Sequence, residues 1–196
     1  VGCNLIGPVG AQALAGAAST PDGPHGLWLK RNPIGGTGAR SVARLLEASP
    51  RLRTLDLVHT GMTSADVELI AAAATSSGSL ERLYVAGNGL SQADSLASLI
   101  AANPRMEALF AGSQALGDAG AALIARALGK NTRLRVLALP SAAIGPAGVE
   151  ALTVAVAEHG AIRSLSLGRS PAARALGYTG NGVGDVGAKA VAELIR

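Results

Sequence analysis

One spacing governs this chain. Asn4, Asn32, Thr60 and Asn88 recur at steps of 28 residues, Gln114 follows after 26, Ala142 after 28 and Asn181 after 39. An apolar residue stands two places beyond each: Ile6, Ile34, Met62, Leu90, Leu116, Ile144 and Val183. Self-similarity at this period marks a solenoid, in which each unit buries its apolar face on the next. Such arrays present extended binding surfaces more often than catalytic pockets.

Within a unit the pattern is L-x-x-L-x-L-x-x-N-x-I-x-x-x-G/D-A/V-x-x-L/V. Leu52 to Thr60, Leu80 to Asn88, Leu134 to Ala142 and Ile162 to Leu167 carry its first half. The L-x-L pairs have period two and predict short strands, side by side and parallel from unit to unit. The second halves predict helices over Ser64 to Thr75, Gln92 to Ala102, Asp118 to Gly129 and Pro146 to Glu158, with apolar spacing near 3.6. About seven helices and six clear strands are expected. Thr63, Ser91, Asp118 and Asp185 are read as helix N-caps. Gly10, Gly38, Gly120, Gly148 and Gly187 share one helix register, with Asp66 and Asp94 in their place in two units. The glycines are read as letting helix approach strand.

The unit Leu27-Trp28-Leu29-Lys30-Arg31-Asn32-Pro33-Ile34-Gly35-Gly36-Thr37-Gly38-Ala39 resembles the consensus of the ribonuclease-inhibitor class of leucine-rich repeats. The resemblance extends over essentially the whole chain. It implies an α/β horseshoe solenoid with a concave parallel sheet and convex helices. It also implies buried Asn-register side chains that bond neighbouring loop backbones. Ala142 cannot do this, and Thr60 and Gln114 can do so only differently, so the ladder is expected to be looser in the middle and late repeats. One array of about six to seven repeats over 1–196 is expected. The chain starts inside a strand position and shows no polar capping repeat, so a piece of a longer chain, or ends that self-associate, is expected.

The array has two interruptions. Pro21 to Gly26 makes a turn-rich junction. Asn181 arrives 11 residues late, and the excess, roughly Arg169 to Gly180, contains Pro171, Arg174 and Tyr178. This insertion is expected to leave the horseshoe and to fold over its end as a lid or second contact, with Tyr178 as anchor. A tolerated insertion without function is the alternative, because loop closure is cheap.

Aromatics make up only 2% of the chain: Trp28, Tyr84, Phe110 and Tyr178. The core is therefore built from Leu, Ala, Ile and Val. In L-x-L the middle residue points away from the core. Across the units that residue is Trp28, Asp56, Tyr84, Phe110, Ala138 and Ser166. Three of four aromatics thus share one column, the composition of an interface hot spot; cross-strand packing is the structural alternative. Lys30, Arg31, His59 and Arg82 flank the column, whereas Ala108, Gly112, Ser141 and Ser164 leave its far half bare. The expected partner-binding set is Trp28, Lys30, Arg31, Asp56, His59, Arg82, Tyr84, Phe110 and Tyr178.

Catalysis is not expected. Cys3, His25 and His59 are separated by whole strands, and Asp56 with His59 reads as a surface pair rather than an acid–base dyad. No metal-ligand cluster stands out, and no cofactor is expected. Gly182 to Gly187 matches G-x-G-x-x-G without directly following a strand, and the repeat explains its glycines. The formal charge is +4 and the pI about 9.8. Arg51, Arg53, Arg105, Arg133, Arg135 and Arg163 follow helices, where a cation complements the C-terminal carbonyls; this reading is preferred to a phosphate-binding edge. Nucleic-acid binding lacks basic residues interleaved with aromatics beyond Lys30, Arg31 and Arg82. No apolar run would span a bilayer, so no membrane role is expected. One cysteine permits a reducing compartment. A cytoplasmic location is favoured, with a secreted effector as the alternative; the Ala/Gly/Arg-rich composition is compatible with a bacterial source. The leading expectation is a protein–protein interaction scaffold binding on the concave face. The alternatives are a GTPase activator, as in one branch of the resembled class, and a self-assembling structural segment.

Overall fold

The computed structural model describes residues 1–169 and 179–195. The elements alternate: α1 (Pro8–Ala18), β1 (Gly26–Trp28), α2 (Gly35–Ala48), β2 (Thr54–Asp56), α3 (Ser64–Ser76), β3 (Arg82–Tyr84), α4 (Asp94–Ala102), β4 (Ala108–Phe110), α5 (Gly117–Leu128), β5 (Val136–Ala138), α6 (Pro146–His159), β6 (Ser164–Ser166) and α7 (Gly184–Ile195). The six strands form one parallel sheet in chain order, β1 to β6. Each helix packs on the helix of the next unit. This is the α/β leucine-rich-repeat solenoid that the sequence implied.

Register follows the leucines. Leu27, Leu55, Leu83, Leu109, Leu137 and Leu165 lie opposite one another across the sheet. Leu55, Leu83, Leu109 and Leu137 are fully buried, as are Leu29, Leu57, Val85, Ala111 and Leu139 two positions later. Each such leucine contributes about 2 kcal/mol relative to exposure. The helices close the other side of the core with Val42, Leu45 and Leu46, then Val67 and Ile70, then Leu96, Leu99 and Ile100. The 26-residue step does not disturb the sheet, since Arg82 still pairs with Ala108. The two missing residues are taken from α4, which has 9 residues where its neighbours have 13 and 12.

The asparagine ladder is present and buried. Asn32 Oδ1 accepts the N–H groups of Asn4 (2.9 Å) and Ile6 (3.0 Å), and its Nδ2 donates to Val1 O and Leu29 O. Asn88 treats Thr60, Met62, Leu57 and Val85 in the same way. So does Asn181 with Ala142, Ile144, Leu139 and Leu167. The Gln114 rung is looser, as expected: its oxygen takes the Leu90 N–H at 2.9 Å, but its nitrogen lies 3.4 Å from both Val85 O and Ala111 O. Where the next unit lacks the carboxamide, the loop is rewired. Facing Thr60, the Ile34 N–H turns back to Asn32 O and Gly35 N–H reaches Thr60 O. Facing Ala142, Leu116 and Gly117 do the same with Gln114 O and Ala142 O. Both rewired loops need a left-handed residue, supplied by Gly35 (φ +53°) and Gly117 (φ +61°).

A second ladder runs under the helix-to-strand turns, at Ser49, Ser77, Asn103, Asn131 and His159. Asn131 Oδ1 accepts from Arg133 (2.8 Å) and Leu134 (2.7 Å), and its Nδ2 donates to Ile100 O in the preceding unit. Asn103 repeats this with Arg105, Met106 and Ala74. Ser49 and Ser77 accept from Leu52 and Leu80 but carry no reaching amide. At His159 the pattern degrades. Nδ1 takes the Ala161 N–H at 3.4 Å, and Nε2 is buried without a hydrogen-bond partner. Burial pushes the imidazole below its ordinary value.

Several sequence expectations are corrected. Thr63 caps α3 in a capping box with Asp66. Ser91 does not cap, because the shortened α4 starts at Asp94, and Ser91 N–H instead meets Ser64 Oγ. Asp118 lies inside α5 and caps the neighbouring helix: its Oδ1 accepts Gly145 N–H (2.6 Å) and Gly148 N–H (3.0 Å) at the start of α6. Asp185 lies inside α7, which begins at Gly184. The glycine register clears space for the preceding loop and helix, not for the strand. A Cβ at Gly38 would lie 2.6 Å from Ile34 Cβ and 3.2 Å from Ala11 Cβ.

Two outcomes test this frame. Asn88→Ala strands the Thr60 and Met62 N–H groups in the interior, while Leu57 O keeps Thr60 Oγ1 and Val85 O keeps Gln114 Nε2; urea unfolding should report a loss of about 2–4 kcal/mol. His159→Asn restores the reaching amide and should add about 1 kcal/mol. The depressed imidazole also sets a sign. The unfolded chain binds the proton more readily, so stability should fall as pH drops below about 6.5, and His159→Asn should flatten that slope. A wild-type slope unchanged in the variant would assign it to other groups.

Candidate functional site

The concave sheet carries two columns of side chains between the buried leucines. The first runs Gly26, Thr54, Arg82, Ala108, Val136, Ser164, and the second Trp28, Asp56, Tyr84, Phe110, Ala138, Ser166. Neighbours in a column are one strand spacing apart, about 4.8 Å. The expected alignment of the three aromatics on one face is therefore realised.

Their surroundings differ. Trp28 is 48% exposed. Its indole leans back over Gly26, where any Cβ would strike the ring. Tyr84 and Phe110 are half-buried and stack on one another, with centroids 4.2 Å apart and planes 7° from parallel. Asp56 sits between Trp28 and Tyr84 and is only 6% exposed. Its Oδ1 accepts the Val58 N–H at 3.1 Å. Burial raises its carboxyl above the ordinary value; the Val58 N–H and the charge of Lys30 oppose the rise.

Lys30 and Arg31 are exposed beyond β1, with Arg31 in the left-handed region (φ 54°). His59 occupies the equivalent left-handed position (φ 53°). Its ring lies over Gly87, with Nδ1 3.1 Å from Gly87 O. No hydrogen bond joins Asp56 to His59; each bonds a backbone group instead. Tyr178 lies outside the described residues, as does most of the insertion.

The arginine edge is also corrected. Glu81 and Glu107, in adjacent units, gather it into an ion network. Glu81 is 3.7 Å from Arg53 and 3.4 Å from Arg82; Glu107 is 3.4 Å from Arg82 and 3.7 Å from Arg133. Arg51 reaches His25 and Asp22. Arg163 donates to Gly160 O, the helix-end carbonyl interaction expected for the whole set. Arg82 is thus engaged on both sides by carboxylates. Aligning the units would have shown the pattern, since Glu81 and Glu107 share one register between Arg53 and Arg135. The seat beneath Trp28 was legible only as an unremarked glycine.

In the far half, Ala108, Ala138 and Ser141 are buried, and Gly112 is packed under Pro140. A cleft of about 450 Å³ opens on the loop side among Gly61, Gly87, Gly89, Asn88 and Gln114, with no titratable side chain in its lining. Among the described residues no three His, Cys, Asp or Glu side chains gather as metal ligands. Cys3 is exposed and unpaired by disulfide. No described helix is long and apolar enough to cross a membrane.

A family model described as a leucine rich repeat matches residues 179–192. No curated protein matches. Among solved structures, a tropomodulin C-terminal domain from Caenorhabditis elegans is similar at 13% identity and a TM-score of 0.47, covering 94% of this chain and 95% of that one. A structure titled leiomodin-1 actin-binding site 2 is similar at 12% identity and a TM-score of 0.48, covering 94% and 84%.

Asp56 makes a prediction that separates binding from stability. Its raised carboxyl means that the folded state holds the proton more tightly than the unfolded one. Stability contributed by Asp56 should therefore fall as pH rises from 3.8 through its folded value. Asp56→Asn keeps an acceptor for Val58 N–H and removes the desolvated charge. Thermal melts near neutral pH should show the variant unchanged or slightly more stable. A clear drop would mean that the ionised carboxylate holds the fold together.

Proposed function

We propose that this chain is a protein-interaction scaffold of the ribonuclease-inhibitor-like class that binds a partner protein on its concave sheet and performs no chemistry there. The single observation behind this is the aromatic column. Trp28 leaves half its surface in water beside Asp56, Tyr84 and Phe110, in a chain otherwise almost without aromatics. Exposing an indole on a rigid strand forgoes burial energy, which an interface recovers. Lys30 and Arg31 extend the same surface at β1. A full helix of 9 to 14 residues in each described unit supports the subclass.

A second reading has its own observation. Leu5 (87%), Val9 (81%) and Val186 (57%) are exposed apolar side chains on the outer units, a surface suited to self-association. Sedimentation velocity of Leu5→Glu against the parent chain separates the two: concentration-dependent growth that vanishes in the variant belongs to the end faces.

The concave reading is tested by substitution against a partner recovered by cross-linking. Trp28→Ala and Tyr84→Ala should each weaken affinity by about 2 kcal/mol with little change in melting temperature. Arg133→Ala should matter little. Binding that ignores both aromatic substitutions but collapses on loss of arginine would move the interface to the Glu81–Glu107 edge.

A further inference from the structure

Asp56 stands apart from the other acids of the concave side. Glu81 and Glu107 each hold two arginines. Asp56 takes part in no ion pair with any described residue, although it is more than nine-tenths buried. The charge of Lys30 acts on Asp56 from beyond ion-pair distance, and Arg82 is held by Glu81 and Glu107. Oδ1 is used by Val58 N–H, whereas Oδ2 has no hydrogen-bond partner. The buried side-chain atoms left unpartnered among the described residues are Ser95 Oγ and His159 Nε2. Oδ2 is not one of them, so it keeps some contact with solvent.

On each side of this carboxylate stands an aromatic ring, Trp28 on β1 and Tyr84 on β3, in the same column. Those two strands are two spacings apart, about 10 Å. That spacing is between backbones; the indole leans over Gly26 and the Tyr84 ring stacks on Phe110, so Asp56 is flanked by the two aromatic side chains in its column. An aromatic face attracts a cation, most strongly where water is excluded. A carboxylate at the base of the notch supplies the counter-charge, and with arginine it can accept two parallel N–H bonds.

We propose that the Trp28–Asp56–Tyr84 notch receives a lysine or arginine side chain of the partner protein. This rests on the concave-face reading and adds the chemistry of its central contact. It also gives the stability cost of Asp56 a purpose. Burial disfavours the ionised carboxylate in the free chain, and an incoming cation relieves that cost, so part of the binding energy is stored before the partner arrives. The chain is basic overall, so its general field repels a basic ligand; recognition is local, made by this one acid.

Nuclear magnetic resonance titration tests the assignment with defined probes: hexalysine, its fully Nε-acetylated form and hexaglutamate. Hexalysine should saturably shift the Trp28 indole N–H and the Val58 amide, whose acceptor is Asp56. Acetylation should weaken binding about tenfold or more, because it removes the cation and keeps the chain. Asp56→Asn, first shown to be folded, should cost about fivefold or more, and Trp28→Ala a similar factor. Glu107→Gln should leave the shifts at Trp28 unchanged. Equal binding of the acetylated probe, equal affinity in Asp56→Asn, or shifts centred on Glu81 and Glu107 would overturn the proposal. If hexalysine leaves the notch unmoved while hexaglutamate or the cross-linked partner still shifts Trp28, Tyr84 and Phe110, the cationic assignment falls and the concave-face reading stands. If none of them moves the column, both fall.

Discussion

A parallel sheet of three-residue strands leaves a large share of each unit's backbone in loops between strand and helix, and buried loop groups must find partners. The carboxamide of the asparagine register supplies them. Its oxygen takes two N–H groups from the unit before, and its nitrogen gives to one carbonyl there and one in its own unit. One side chain therefore fixes the spacing of two neighbouring units, and the strand register follows. Thr60 and Ala142 show how strict the requirement is. Where the carboxamide is missing, the facing loop changes conformation and places a glycine at positive φ, whose N–H reaches the backbone carbonyl of the next unit. The second ladder does the same work at the opposite ends of the strands. Its last rung, His159, is the one described position at which the solution is incomplete.

A frame held in this way can carry side chains on its concave face that do nothing for folding. Trp28 exposes half its surface, and Asp56 holds a largely buried carboxyl with no ion pair to a described residue. Formal charge is a poor guide to this surface. Glu81 and Glu107 neutralise much of the arginine edge, so the positive sign of the whole chain does not describe the aromatic column. What remains there is a local acid between two rings, with Lys30 and Arg31 beyond it.

The sequence made the solenoid, the six-strand register and the aromatic column legible, because all three depend on period alone. Leu55, Leu83 and Leu137 could be assigned to the core from L-x-L spacing without knowing a single contact. Features made between units were not legible. Asp118 caps a helix 27 residues downstream, which no local capping rule anticipates. Ser91 failed as a cap because the two-residue shortening falls in α4, and the position of a deletion within a repeat cannot be read from its total length. The arginines were assigned to helix ends from sequence proximity, which holds for Arg163, whereas Arg53 and Arg133 reach the carboxylates of Glu81 and Glu107. Tyr178 and the lid built on it fall outside the described residues, so that expectation stays a proposal.

Hydrogen exchange with and without the cross-linked partner tests the central claim most directly, because it reports on faces rather than on single residues. The account predicts added protection in peptides covering residues 26–31, 54–59, 82–87 and 108–112, with the helices α3 and α4 unchanged. Protection confined to the helices, with the strand peptides exchanging as in the free chain, would contradict it.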